Sequence, residues 1–135
     1  MLRILVIDDE PFVLEALKRV LAATAVVVVA STADAGLTAM RETPVDLVII
    51  DVILPGMDGV AAIKIIRRDY PGVRIIAISG GGNFGLNAYL PDAISTSAYL
   101  AACKAAGADG TLAKPFETAE LRALIDQVTL GHVTT

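Results

Sequence analysis

Val48-Ile49-Ile50-Asp51-Val52-Ile53-Leu54-Pro55-Gly56-Met57-Asp58-Gly59, preceded by Leu47, is the stretch whose reading decides the fold. The apolar run from Leu47 to Ile50 reads as a strand buried on both faces. It carries a carboxylate, Asp51, to the strand's end, where Pro55-Gly56 marks a turn and Asp58 is placed to cap the next helix. Taken alone, Asp51 is as readily a turn residue as a functional one. The rest of the chain decides between those readings.

The 135 residues fit one domain with a proper core. The hydrophobic share of 55% lies in alanine and short apolar runs, as expected for a parallel sheet covered on both faces. None of these runs approaches the ~20 residues of a membrane span. Met1-Leu2-Arg3 leads straight into a strand, so no secretory signal is expected, and the single cysteine fits a reducing cytoplasm. A net charge of −4 argues against nucleic acid as a direct ligand.

Outward from the central strand, elements alternate. Arg3 to Ile7 is a β-rich run ending in Asp8-Asp9-Glu10, and Pro11 suits the first position of a helix striped with Val13, Leu14, Leu17, Val20 and Leu21. Val26 to Val29 is a β-branched strand, and Ser31-Thr32 opens a helix that Pro44 terminates. After the central strand a helix carries Ala62, Ile63 and Ile66, and Arg74 to Ile78 is a fourth strand ending at Ser79. Gly80 to Ile94 is irregular, with Ser95 predicted to cap the helix that follows and Gly107 to stop it. Gly110 to Ala113 is a short strand ending at Lys114-Pro115. Thr118 is predicted to cap a last helix striped with Leu121, Leu124, Ile125 and Val128. A frayed tail is expected over Thr129 to Thr135.

Five alternations of strand and helix predict an α/β domain with a parallel sheet and right-handed crossovers. Ligands of such sheets bind outside the carboxyl ends of the strands. There the chain places Asp8 and Asp9, Asp51, Ser79 and Lys114, from four separate strands. Converging carboxylates repel one another unless a cation lies among them. A hard divalent ion, Mg²⁺ above all, meets that need, whereas no His or Cys cluster supports zinc. Cys103 falls on an apolar helical stripe, as a buried structural thiol does. A carboxylate beside a metal, a hydroxyl and an ammonium group can act as a nucleophile toward phosphorus, with Lys114 neutralising phosphoryl charge and Ser79 donating a hydrogen bond.

Asp8-Asp9-Glu10-Pro11, Asp51 through Gly59, Ser79 and Lys114-Pro115-Phe116 together resemble the receiver domain of two-component response regulators, from about Arg3 to Val128. The resemblance implies a flavodoxin-like three-layer sandwich with a five-stranded parallel sheet in the order 2-1-3-4-5. It implies that Asp51 accepts phosphoryl from a histidine kinase or histidine phosphotransfer protein. Asp8, Asp9, Asp51 and the backbone carbonyl of Ile53 would bind Mg²⁺, Ser79 and Lys114 would contact the phosphoryl group, and the Lys114-Pro115 bond would be cis. The domain is expected over residues 1–128, with an extended segment at 80–94 and a tail at 129–135.

Three features set the chain apart within that resemblance. The stretch from Ser79 to Lys114 is longer than in most receivers and is similar to a Ser-Gly-Gly-Gly segment of some that stand alone, so residues 80–94 are expected to serve as the switch element. Thr111 occupies the place, three before the lysine, where many receivers carry an aromatic switch residue. Neither Ile53 nor Gly81, two residues beyond Asp51 and Ser79, has a polar side chain to position hydrolytic water. With seven residues after Val128, the expected output is contact with a downstream protein or onward relay of phosphate, with room for a dimer. The chain is not expected to be an enzyme beyond its own phosphorylation and dephosphorylation. The alternatives are an aspartyl-phosphate phosphohydrolase, which would want a carboxylate where Ile53 stands, and a receiver-like scaffold that is never phosphorylated, which would lack part of the acidic cluster or the lysine.

Overall fold

The computed structural model describes residues 1–54, 56–80 and 92–133, and at 80, 92–97 and 131–133 the backbone alone. Among the described residues, five strands and five helices alternate: β1 (Leu2–Ile7), α1 (Pro11–Leu21), β2 (Ala25–Ala30), α2 (Ala33–Glu42), β3 (Leu47–Asp51), α3 (Gly59–Asp69), β4 (Arg74–Gly80), α4 (Asp92–Ala106), β5 (Gly110–Lys114) and α5 (Thr118–Val133). All strand pairs are parallel. The sheet order is β2-β1-β3-β4-β5, the flavodoxin-like order expected from the sequence.

Side chains alternate across the sheet with the period of two that a strand imposes. Leu5, Ile7, Val48, Ile50, Ile75 and Ala77 enter a core shared with Leu37 and Met40 of α2, Ala62, Ile63 and Ile66 of α3, and Cys103 of α4. Ile4, Val6, Leu47, Ile49, Ile76 and Ile78 enter a second core, shared with Leu17 and Leu21 of α1 and Leu121 and Ile125 of α5. Every residue of β3 is buried, because β3 lies mid-sheet with helices over both faces. Each buried Ile or Leu contributes about 1.5–3 kcal/mol by leaving water, so these two layers fix the height at which each strand ends.

The helix starts follow local chemistry. Pro11 begins α1. The Thr32 side chain accepts from the Ala35 N–H at 3.0 Å, and the Asp58 carboxylate from the Val60 N–H at 2.9 Å. Several expectations are corrected. α4 begins at Asp92, so Ser95 lies inside the helix and does not cap it, and 92–94 is not irregular. α5 begins with Thr118 inside it. The Glu117 N–H ahead of it is met by the Glu120 carboxylate at 2.9 Å, a reach-back that a Thr cap does not supply. α5 also runs to Val133, through most of the stretch expected to fray. The expectation that 80–94 is the switch element lies, for 81–91, outside the described residues.

Candidate functional site

The register brings the strand ends to one rim. Ile7 pairs with Ile50, Asp51 with Ile78, Ser79 with Ala113 and Gly80 with Lys114. Asp8, Asp51, Ser79 and Lys114 therefore lie within one residue of their strands' ends, along the same carboxyl edge.

Each acidic side chain is held by the turn after it. Asp8 Oδ1 accepts from the Glu10 N–H at 2.9 Å, closing the β1–α1 turn. Asp51 Oδ1 accepts from the Ile53 N–H at 2.9 Å. That second turn is anchored further on: the Val52 N–H donates to the Ile78 carbonyl and the Gly59 N–H to the Val52 carbonyl. Gly59 is required at the close approach, since a Cβ there would lie 2.5 Å from the Val52 oxygen and 2.6 Å from its Cα. Gly56, at φ +83°, supplies the left-handed step of the loop.

Asp8 and Asp51 are buried and Asp9 is exposed, yet carboxylate oxygens of all three lie within 4.8 Å of one another. Lys114 comes in from β5. Its ammonium donates to Asp8 Oδ2 at 3.0 Å, Asp51 Oδ2 at 3.1 Å and Glu10 Oε1 at 3.4 Å. Burial pushes the Asp51 carboxyl up to about 6, and the nearby Asp8 adds to the rise, while the Ile53 N–H and Lys114 hold it back. Burial alone would lower the Lys114 pKa, but its bonds to Asp8 and Asp51 and their charges outweigh it, and the net shift is upward. The lysine thus stays charged, while the carboxylate at the centre is held at a cost that further positive charge relieves. Two buried carboxylates, a third open to solvent and a single resident cation suit a hard divalent ion with oxygen ligands.

The structure therefore joins Asp8, Asp9, Asp51 and Lys114 in one cluster, with the Ile53 backbone folded back onto Asp51. Ser79 is buried at the same rim. Lys114-Pro115 is cis, as the resemblance implied. Thr111 is half-buried on β5, in register with Ala77. Cys103 is fully buried, and burial pushes its thiol up to about 11, which makes it an inert core residue. Glu10 as a third partner of Lys114 was not anticipated; its only sequence signal is its place beside the acidic pair.

Arg67 was also missed. It donates to the carbonyls of Gly107, Pro71 and Val73 and to the Asp109 carboxylate, at 2.8–3.1 Å. Asp109 in turn accepts from the Ile75 N–H. This clamp ties the ends of α3 and α4 to the start of β4, away from the acidic cluster, and is structural.

A profile described as the response regulator receiver domain matches residues 4–126. The DNA-binding response regulator MtrA of Mycolicibacterium smegmatis is 36% identical over 127 residues, covering 91% of this chain and 48% of that protein. The transcriptional regulatory protein YvrH of Bacillus subtilis is 33% identical over 124 residues, covering 90% and 46%. The chain thus spans about half the length of these curated relatives. Among solved structures, a CheY-like receiver domain protein from Methanospirillum hungatei superposes with a TM-score of 0.78 at 26% identity, over 94% of this chain and 92% of that one. A response regulator from Chloroflexus aurantiacus, described as putative, gives 0.76 at 28%, over 94% and 96%.

Proposed function

The chain belongs to the response regulator receiver domain family, and from that premise we propose that it is a Mg²⁺-dependent phosphorylation switch with Asp51 as the acceptor. The observation that carries this reading is the Asp51 carboxylate, buried at the end of the central strand and held by the Ile53 N–H on one oxygen and Lys114 on the other. The donor is a phosphohistidine on a histidine kinase or phosphotransfer protein. An Asp51 oxygen attacks phosphorus, a P–O bond forms as the P–N bond breaks, and the electron pair leaves with the imidazole nitrogen. The Ile53 N–H fixes the carboxylate's orientation, and Lys114 follows the negative charge from carboxylate to phosphoryl oxygens. Ser79, buried beside the central strand's end, donates its hydroxyl proton to the same oxygens.

Asp8, Asp9, Asp51 and the Ile53 carbonyl are the groups that would hold Mg²⁺, which supplies the positive charge that lets an anionic nucleophile meet an anionic phosphoryl group. Ile53 contributes an apolar side chain, partly buried against the α2–α4 core, where a hydrolase would want a second carboxylate. The chain accordingly turns over no separate substrate and catalyses only its own phosphorylation and dephosphorylation. Its output is contact with a downstream protein or onward relay of phosphate, in the cytoplasm. Among the described residues no helix is long and apolar enough to cross a membrane.

Phosphotransfer tests the reading. A radiolabelled phosphohistidine domain should pass label to the chain only with Mg²⁺ present, and neutral hydroxylamine, which cleaves acyl phosphates but not phosphoesters, should release it. Label that resists hydroxylamine would place the phosphoryl group on a hydroxyl and overturn the assignment.

A further inference from the structure

Lys114 has three acceptors for its three ammonium protons: Asp8 Oδ2 at 3.0 Å, Asp51 Oδ2 at 3.1 Å and Glu10 Oε1 at 3.4 Å. The three are not equivalent. Asp8 and Asp51 belong, with Asp9, to the carboxylates that come within 4.8 Å of one another, and among the described residues Glu10 stands outside that set. Glu10 is also half-exposed, whereas Asp8 and Asp51 are buried.

Asp8 ties the arrangement into a ring. Its Oδ1 accepts from the Glu10 N–H at 2.9 Å and its Oδ2 from the Lys114 ammonium, and the Glu10 carboxylate closes the ring on that same ammonium. Glu10 is at the same time the N-cap of α1, a place where Asp, Asn, Ser or Thr is preferred. Its side chain makes no capping hydrogen bond there. A half-exposed ion pair contributes little to stability, so neither the helix nor the fold accounts for a glutamate at this position. What the contact fixes is the end of the lysine, a compact cation on a flexible four-carbon stem.

We propose that Glu10 is a positioning residue for Lys114, holding its ammonium at the mouth of the site when Asp8 and Asp51 give their oxygens to a divalent ion. The inference rests on the reading of Asp51 as the phosphoryl acceptor. Without the ion, the two buried carboxylates suffice to hold the lysine. Once engaged elsewhere, both are weaker partners for a second cation, and Glu10 is the acceptor that remains undivided. An ammonium kept there meets the incoming phosphoryl oxygens already in place. The Glu10 carboxylate by itself repels an anionic donor, so loss of its charge alone predicts faster phosphorylation, and loss of positioning predicts slower.

Side-chain ¹³C relaxation at Lys114 Cε tests the placement with no phosphodonor present. At saturating Mg²⁺ the Cε order parameter should fall in Glu10→Gln relative to the parent, and without Mg²⁺ the two should agree. Glu117→Gln, which removes a charge near Lys114 but outside its three ion pairs, should leave the order unchanged. The rate of phosphoryl gain by intact mass, with acetyl phosphate and saturating Mg²⁺, is the second readout. Glu10→Gln should be about threefold slower than the parent, and Glu117→Gln no slower. Unchanged order in Glu10→Gln, equal loss with and without Mg²⁺, a rate at or above the parent's, or equal slowing in Glu117→Gln would overturn the proposal and leave the role of Asp51 standing. A parent that gains no phosphoryl group would overturn that role and the inference with it.

Discussion

Lys114 Nζ lies 3.1 Å from Asp51 Oδ2, joining the end of the last strand to the end of the central one. The same nitrogen reaches Asp8 Oδ2 at 3.0 Å, so one cation serves two buried carboxylates. Lys114→Ala should therefore cost more stability at pH 8, where Asp51 is ionised, than at pH 5, where it is protonated. The expected difference is about 1–3 kcal/mol, read from urea denaturation at the two pH values. Equal losses would mean that the lysine acts through packing alone.

Asp51 makes its own contribution to pH dependence. Its folded pKa, near 6, exceeds the ordinary 3.8 because burial disfavours the charged form. The folded state thus holds the proton more tightly than the unfolded state. Its favourable contribution is fully present below about pH 4 and is lost as pH rises through 6, amounting to roughly 2–3 kcal/mol. Without divalent ions, Asp51→Asn should be more stable than the parent above pH 6 and should lose this dependence. A parent whose stability climbs between pH 4 and 6, with the variant following, would contradict the assignment.

Added Mg²⁺ should offset that cost. Ligand binding to the folded state alone stabilises it by RT ln(1 + [L]/Kd), so the thermal midpoint at pH 7.5 should rise with Mg²⁺. Asp9→Asn, which removes the exposed member of the cluster, should weaken the effect at least about tenfold in affinity. An unchanged midpoint shift would confine the acidic pair to a structural role.

Gly59→Ala should destabilise the domain by about 2–4 kcal/mol, because its Cβ meets the Val52 backbone. Gly72→Ala, with nothing within 4 Å of the added carbon, should be nearly neutral. Denaturant midpoints distinguish the two. A mild effect at Gly59 would show that the turn after Asp51 can open without strain.

What the sequence revealed and what it hid have physical causes. Strands β1, β3 and β4 were legible because burial on both faces leaves unbroken apolar runs. The site was legible because parallel strands deliver their last residues to one rim. The start of α4 was misplaced because Ser95 has the chemistry of a cap but lies in a stretch whose own hydrogen bonding continues upstream to Asp92. The cap of α5 was misread because Thr118 has the chemistry of a cap but lies inside the helix, and the N–H of Glu117 ahead of it is met by Glu120, three residues on. Arg67 left no signal at all: three of its acceptor residues contribute carbonyls, which every residue possesses.

The central claim is that Asp51 alone takes the phosphoryl group, and intact-mass spectrometry tests it most directly. With a small phosphodonor and Mg²⁺, the chain should gain the mass of one phosphoryl group, and Asp51→Asn should gain none. Equal labelling of the Asn variant, or no labelling of the folded parent, would contradict it.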